Sequence, residues 1–228
     1  MSFRVADNVS RLGEVAEHKT SLELQMFNTA QKMIEEQKPN NITETAILPM
    51  QCYQQPLFSR VWEMPNSNSF DIKCISRLIH KYHKSEMISI DPFANKNRIA
   101  KITNDLDPEM KADYCMDALD FLKQFETGSI DFVLYDPPYS PRQVSECYKK
   151  LGKTVNMETT QASFWGNLKK EIARVTKANG IVISFGWNTN GIGKTKGFEI
   201  LEILTVAHGG QHNDTLCTVE RKISGLFD

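Results

Sequence analysis

The sequence predicts an α/β fold in which a mostly parallel sheet ends in an antiparallel hairpin and carries a helical N-terminal appendage. Two observations predict this fold. From about residue 69 onward, apolar strand-like runs alternate with helical runs, which is typical of a parallel sheet whose strands are joined through helices. Near the end, the strand-like runs 200–207 and 215–221 are joined by Gly209 and Gly210, as in a hairpin.

The first 68 residues are predicted to hold one long helix followed by an irregular connection. Apolar residues three or four apart predict a helix over 10–38, which Pro39 ends. A second apolar face on this helix fits a DNA contact or a dimer partner, and packing wholly on its own domain is the alternative. The stretch 40–68 is rich in Pro, Asn, Gln and Ser and is predicted to be irregular, so the main domain is expected to span 69–228.

Helices and strands alternate through the predicted main domain. The helices are predicted at 72–83, 118–125, 141–150 and 161–177. The strands that precede the hairpin are predicted at 87–90, 100–103, 113–115, 130–135 and 181–185. The strand 130–135 is almost wholly apolar, which indicates burial on both faces of the sheet.

Composition restricts the class of protein. With 228 residues, 40% hydrophobic and 24% charged, the chain is expected to fold as a globular protein, and disordered and collagen-like classes are excluded. The five cysteines are scattered without a C-x-x-C pair, which argues against a disulfide framework or a zinc ribbon and favours the cytoplasm. No apolar run reaches the length of a membrane span, and no signal peptide is evident, so no membrane partner is expected. The net charge of -1 means that contact with phosphates must rely on local basic clusters.

The residues richest in chemistry are Asp136, Pro137, Pro138 and Tyr139, which follow the buried strand 130–135. They leave the sheet at the carboxyl end of a strand, where open α/β sheets bind ligands. Two successive prolines fix the backbone and hold the Pro137 carbonyl as an oriented acceptor beside the Asp136 carboxylate. The alternative is that these four residues form only a turn after a strand.

This set of groups suits an exocyclic amine on an aromatic ring. Such a nitrogen is a poor nucleophile because its lone pair is conjugated, and two acceptors for its hydrogens help to localise that pair. Tyr139 is predicted to stack on a base extruded from a duplex, with its hydroxyl contributing little. We also assign substrate contacts to Arg142, in a basic cluster, and to Trp187, for which packing in the core is the equal alternative.

The D-P-P-Y motif resembles that of the amino-methyltransferases of DNA, (D/N/S)-P-P-(Y/F/W), and the chain is similar to compact, phage-type adenine enzymes. The likeness covers the chain from about residue 58 to the end. It implies a Rossmann-like methyltransferase sheet, S-adenosylmethionine as cofactor, and methylation of adenine N6 in DNA in the cytoplasm of a bacterial or phage-infected cell. The alternatives are an RNA-base amino-methyltransferase and a catalytically inactive binding subunit.

The resemblance also implies which residues bind the cofactor. Asp91, Pro92, Phe93 and Ala94 match the cofactor loop, Asp117 and Ala118 match the pair that holds the adenine, and Ser69 and Phe70 belong to the lead-in near the methionine moiety. After the second strand, Asp105 is chosen to accept the ribose hydroxyls, and Asp107 to cap the turn before Pro108. Asp117 has the alternative role of capping the helix that follows it.

Two further expectations concern metals and recognition. His208, His212 and Cys217 lie in or beside the hairpin turn, where their spacing does not align ligands, so no metal is expected. The motif order leaves no room for a separate target-recognition domain. Recognition is therefore assigned to the loop 140–164, to the N-terminal segment, or to a second copy or a specificity subunit, and the alternative is recognition that is loose in sequence.

Overall fold

A computed structural model describes residues 55–66, 68–152 and 162–223, and these residues form a seven-stranded sheet. The strands are β1 (Leu57–Trp62), β2 (Ser89–Asp91), β3 (Ile102–Thr103), β4 (Ile130–Tyr135), β5 (Thr176–Gly186), β6 (Phe198–Ala207) and β7 (Thr215–Lys222). They lie in the order β1-β6-β7-β5-β4-β2-β3. All neighbouring pairs are parallel except those that β7 makes with β5 and β6. The sheet is therefore Rossmann-like and ends in an antiparallel hairpin, as predicted.

Helices cover both faces of this sheet. The α-helices in the described ranges are α1 (Lys73–Tyr82), α2 (Ala118–Lys123), α3 (Pro141–Lys150) and α4 (Ala162–Val175). Helix α3 starts where predicted because Ser140 accepts a hydrogen bond from the Gln143 N–H and Pro141 occupies the first turn. None of the described helices is long and apolar enough to cross a membrane.

Two apolar clusters hold the layers together. Phe132 and Leu134 of β4 pack with α1 on one face, and Val133 packs with α2 and α4 on the other. All three side chains are fully buried. Strand β4 is thus buried on both faces, as its apolar run predicts.

Residues 57–62 correct the predicted irregular connection. They form β1, which pairs in parallel with β6 from Leu57 opposite Glu202 to Trp62 opposite Ala207. A strand at the edge of a sheet is defined by its partner, so the local composition did not show it. The strand predicted at 113–115 is also wrong, because only an isolated bridge joins Tyr114 to Asn104. The helix predicted at 10–38 lies outside the described residues.

Candidate functional site

The D-P-P-Y residues lie at the carboxyl end of β4, between two cavities. The first cavity has a volume of about 460 Å³ and is lined by the loops after β2 and β3, the start of α2, and α3. The second has a volume of about 300 Å³ and is lined by α4 and the loop after β5. Pro137 and Tyr139 line both cavities, so a group bound in one can meet a group bound in the other at the motif.

Asp136 is linked to the tyrosine of the same motif. The Tyr139 hydroxyl donates a hydrogen bond to Oδ1 of Asp136. Burial raises the pKa of Asp136 to about 6, although hydrogen bonds from Tyr139 and Ser69 act in the opposite direction. Asp136 is therefore mostly ionised at neutral pH. The hydroxyl of Tyr139 is thus engaged with the carboxylate, and its small contribution to activity stays a prediction.

The two proline carbonyls of the motif differ in their partners. Trp165 of α4 donates a hydrogen bond of 2.9 Å from Nε1 to the Pro138 carbonyl. Within the described part of the chain, no donor is bonded to the Pro137 carbonyl. Pro137 is buried and lines both cavities, so its carbonyl is the acceptor of the pair that remains available for a ligand.

Asp105 lines the first cavity, and its carboxylate shapes the surrounding loops. Its Oδ2 accepts a hydrogen bond of 2.8 Å from the Asn95 N–H, and its Oδ1 accepts one of 2.9 Å from the Asp107 N–H. Asp107 itself accepts from the Glu109 N–H and pairs with Lys150 at 2.9 Å. Asp107 thus caps the turn at Pro108, as predicted, and both Asp105 and Asp107 line the first cavity.

Asp117 caps helix α2 and also lines the first cavity. Its Oδ1 accepts a hydrogen bond of 2.9 Å from the Leu119 N–H and so caps α2. Its Oδ2 accepts one from the Tyr148 hydroxyl of α3, at 2.5 Å, and both Asp117 and Ala118 line the first cavity. Burial is the first cause that raises the pKa of Tyr148, and the bond to Asp117 adds to it. Tyr148 was not identified from the sequence, because nothing local connects it with Asp117.

Asp91 lies beneath the first cavity and does not line it. Its Oδ1 accepts a hydrogen bond of 3.0 Å from the Phe93 N–H, and its Oδ2 has no partner among the described residues. Complete burial raises the pKa of Asp91 to about 8. The hydrogen bond from Phe93 lowers the pKa, but its effect is smaller than that of burial. Asn95, in the loop after β2, has a φ of 49°, the left-handed conformation that asparagine tolerates.

Asn104 is an organising residue that the sequence analysis missed. Its side chain is fully buried, donates to the carbonyls of Pro92 and Met116 at 3.0 and 3.1 Å, and accepts from the Met116 N–H at 3.1 Å. These bonds tie the loop after β2 to the segment before α2. Three bonds from one buried amide fix both walls of the first cavity, and the sequence T-N-D carried no sign of this role.

Besides Asp91, four of the predicted site residues lie outside both cavity linings. Ala94 is buried and donates from its N–H to the Asn104 carbonyl. Phe70 packs in the core against Phe185, with ring centroids 4.8 Å apart. Ser69 acts on Asp136, as described above. Arg142 is exposed on α3 and forms an ion pair with Glu146 at 2.8 Å, so the structure does not bring Arg142 to the motif.

The second cavity joins the motif to the loop after β5. Trp187 lies beside Tyr139, with ring centroids 5.6 Å apart and an interplanar angle of 67°, and remains 45% exposed.

Glu220 of β7 holds the loop after β5, because its buried carboxylate accepts hydrogen bonds of 2.6 and 2.9 Å from the Ile192 and Gly193 N–H groups. Gly191 allows the approach, since a Cβ there would lie 2.1 Å from Glu220.

His208 lies in the hairpin and contacts polar groups through both of its ring nitrogens. One ring nitrogen lies 2.8 Å from the Glu63 carbonyl and the other 2.9 Å from the Thr215 hydroxyl. The bond to Glu63 ties the end of β1 to the hairpin. In the described ranges, no three His, Cys, Asp or Glu side chains lie close enough together to hold a metal ion.

Several solved structures are similar to this chain at low identity. TrmN from Thermus thermophilus is 14% identical, over 67% of this chain and 49% of that chain, with a TM-score of 0.46. A 1,6-didemethyltoxoflavin-N1-methyltransferase from Burkholderia thailandensis, with bound S-adenosylhomocysteine, is 10% identical over 65% and 76%, with a TM-score of 0.44. The methylase HI0767 from Haemophilus influenzae is 13% identical over 67% and 95%, with a TM-score of 0.41. The match spans about half of the TrmN chain. No protein-family model and no curated protein matches the chain.

Proposed function

We propose that this protein transfers a methyl group from S-adenosylmethionine to the exocyclic amine of a nucleic-acid base, with adenine N6 in DNA as the target. One observation carries the proposal: Pro137 and Tyr139 line both cavities, and Asp136 of the same motif lines the first. A two-substrate transfer needs a donor and an acceptor held on opposite sides of one reacting point.

The first cavity fits the cofactor. Its volume of about 460 Å³ falls in the range of roughly 300–1,000 Å³ that is usual for small-molecule sites. Asp105 and Asp117 line this cavity, and we assign the first to the ribose hydroxyls and the second to the adenine amine. Both carboxylates already hold backbone N–H groups, so their positions are fixed before any ligand arrives. When bound there, the cofactor supplies a methyl group on a positively charged sulfur.

The motif residues fit the amine. The Pro137 carbonyl and the Asp136 carboxylate supply two acceptors for the two hydrogens of one NH₂ group. These bonds hold the nitrogen lone pair toward the first cavity and make the nitrogen a better nucleophile. Because Asp136 titrates near pH 6, it is an acceptor at neutral pH and becomes a donor when protonated.

The second cavity fits the target base. Tyr139 and Trp187 place two aromatic rings beside it, and aromatic rings stack on bases that have left a duplex. Its volume of about 300 Å³ is at the lower end of the usual range for small-molecule sites. An aliphatic amine would make no use of these rings, so the geometry favours an aromatic heterocycle.

Duplex DNA and structured RNA are separated by experiment. The protein is incubated with S-adenosylmethionine labelled in its methyl group and with either DNA or RNA, and the transferred label is counted. We expect transfer to DNA that the Asp136→Ala variant lacks. Transfer only to RNA would establish the RNA-base alternative. If the protein binds DNA but neither binds the cofactor nor transfers a methyl group, it is an inactive binding subunit.

A further inference from the structure

Three hydroxyl side chains form a row across the middle of the sheet. Tyr135 of β4 pairs with Ser184 of β5, and Ser184 pairs with Thr218 of β7. Directly paired residues point to the same face of a sheet, so the three hydroxyls lie on one face. Their exposed fractions are 2%, 7% and 0%, respectively.

None of these three hydroxyl oxygens has a hydrogen-bond partner within the described residues. Most buried polar groups in native proteins are hydrogen-bonded, so each exception requires an explanation. For Tyr135 and Ser184 the surroundings offer one, because both residues line the second cavity. Thr218 does not line it. We call the hydroxyls of Tyr135 and Ser184 the hydroxyl pair.

The chemistry around the hydroxyl pair indicates what it binds. Tyr135 is the residue directly before the motif, and Pro137 and Tyr139 line the same cavity. A ligand whose amine reaches Pro137 therefore has the rest of its ring near the hydroxyl pair. Lys169, Asn188 and Asn190 add further polar groups to the cavity wall. Hydroxyl groups can donate to a ring nitrogen, and Ser184 can also turn its oxygen between staggered rotamers.

We propose that the hydroxyl pair binds a ring nitrogen of the substrate and so selects an aromatic heterocycle that carries both an exocyclic amine and a ring acceptor. This proposal rests on the proposed function and deepens it, because it names the groups that distinguish one base from another. A site built to hydrogen-bond its substrate rejects an analogue that lacks the bonding group, since its own polar groups then remain unpaired. Tyr135 and Ser184 are thus specificity-determining residues.

Three variants with matched chemistry test the hydroxyl pair. Tyr135→Phe and Ser184→Ala each remove one hydroxyl of the pair, and Thr218→Val removes the third hydroxyl of the row as a control. No intramolecular bond is lost in any of them, so the melting temperature of the free protein should stay the same or rise. S-adenosylhomocysteine binding, measured by calorimetry, should be unchanged in all three.

The variants should differ in methylation. With a DNA oligonucleotide that carries an unpaired adenine, Tyr135→Phe and Ser184→Ala should each lower kcat/KM by about threefold to tenfold, the contribution of one neutral hydrogen bond. Thr218→Val should leave kcat/KM unchanged. Oligonucleotides in which adenine is replaced by 1-deaza-, 3-deaza- or 7-deazaadenine then identify the bonded nitrogen. The wild type should discriminate against one analogue, and that discrimination should shrink in the variants.

The outcomes separate the two proposals. Equal kcat/KM values for the wild type, Tyr135→Phe and Ser184→Ala would overturn the role of the hydroxyl pair and leave the proposed function intact. An equal loss in Thr218→Val would also overturn it, since the effect would then come from the core. Wild-type protein that methylates no nucleic acid would overturn both proposals.

Discussion

The two cavities beside the motif differ in how their polar groups are engaged. In the first cavity, Asp105, Asp107, Asp117 and Asn104 all accept or donate hydrogen bonds within the protein. In the second, the hydroxyl pair has no partner among the described residues. The first cavity is thus held in shape by its own bonds, whereas the second keeps hydrogen-bonding capacity for a ligand.

This difference indicates a division of roles. A site that is organised before binding loses less entropy when its ligand binds, which suits a cofactor that every turnover requires. Unpaired groups cost stability in the free protein and favour a ligand that satisfies them, which suits selection among substrates. Asp136 lines the first cavity and accepts a hydrogen bond from the hydroxyl of Tyr139, which lines both cavities.

The largest effect is expected at Asp136. Asp136→Ala removes a positioned acceptor and should lower kcat by about a hundredfold or more while cofactor binding persists. Asp136→Asn keeps an acceptor oxygen that does not titrate. Wild-type kcat/KM should therefore rise with pH through about 6, where Asp136 ionises, and this acid limb should be missing in Asp136→Asn. Unchanged turnover in Asp136→Ala would show that the motif takes no part in methyl transfer.

Tyr139 comes next, because it acts through both its ring and its hydroxyl. Tyr139→Ala removes a stacking surface worth about 1–3 kcal/mol and should lower kcat/KM at every pH, with partial rescue by an unpaired target base. Tyr139→Phe keeps the ring but removes a bond that lowers the pKa of Asp136. The acid limb of the kcat/KM profile of Tyr139→Phe should therefore move to higher pH, and activity above that limb should be near normal. An unshifted limb in Tyr139→Phe would contradict the role given to the hydroxyl.

A smaller effect is expected at Tyr148, which binds the carboxylate assigned to the cofactor. Because its hydroxyl occupies Oδ2 of Asp117, Tyr148→Phe should strengthen S-adenosylhomocysteine binding by about threefold to tenfold, as expected for loss of one competing bond. Arg142→Ala, on the exposed face of the same helix, is the control and should bind normally. Weaker binding by Tyr148→Phe would show that Tyr148 contacts the cofactor instead of competing with it.

The smallest effect on activity is expected at Asp91, where the readout is stability. A folded-state pKa of about 8, raised from 3.8, means that this group stabilises the fold when protonated and that the contribution is lost as pH rises through 8. The side chain of Asp91→Asn cannot titrate. The free energy of unfolding of this variant, relative to that of the wild type, should therefore increase as pH rises from 4 to 8. Urea unfolding across that range measures the gain, with the exposed Asp120→Asn as control. Parallel curves for Asp91→Asn and the wild type would contradict the burial argument.

The elements that local pattern determines were predicted well. Strand β4 and helix α3 have the predicted bounds, because the first is a continuous apolar run and the second has a serine cap and a proline in its first turn. The capping roles of Asp107 and Asp117 also followed from local chemistry.

Features that depend on distant partners were not predicted. Strand β1 exists through its pairing with β6, about 145 residues later in the chain. The hydroxyl pair joins residues of two strands, and sequence spacing does not show that Tyr135 faces Ser184. Asn104 and Tyr148 were missed for the same reason, since their partners are known only once the loops are folded.

Mass spectrometry of the nucleosides tests the central claim most directly. DNA and RNA are incubated with the wild type or Asp136→Ala and with S-adenosylmethionine labelled in its methyl group, and are then digested to nucleosides. The labelled product of the wild type should be N6-methyladenine from DNA, and the variant should yield little or none. A label on a ring carbon, on a ribose or on no nucleoside at all would contradict transfer to an exocyclic amine at the motif.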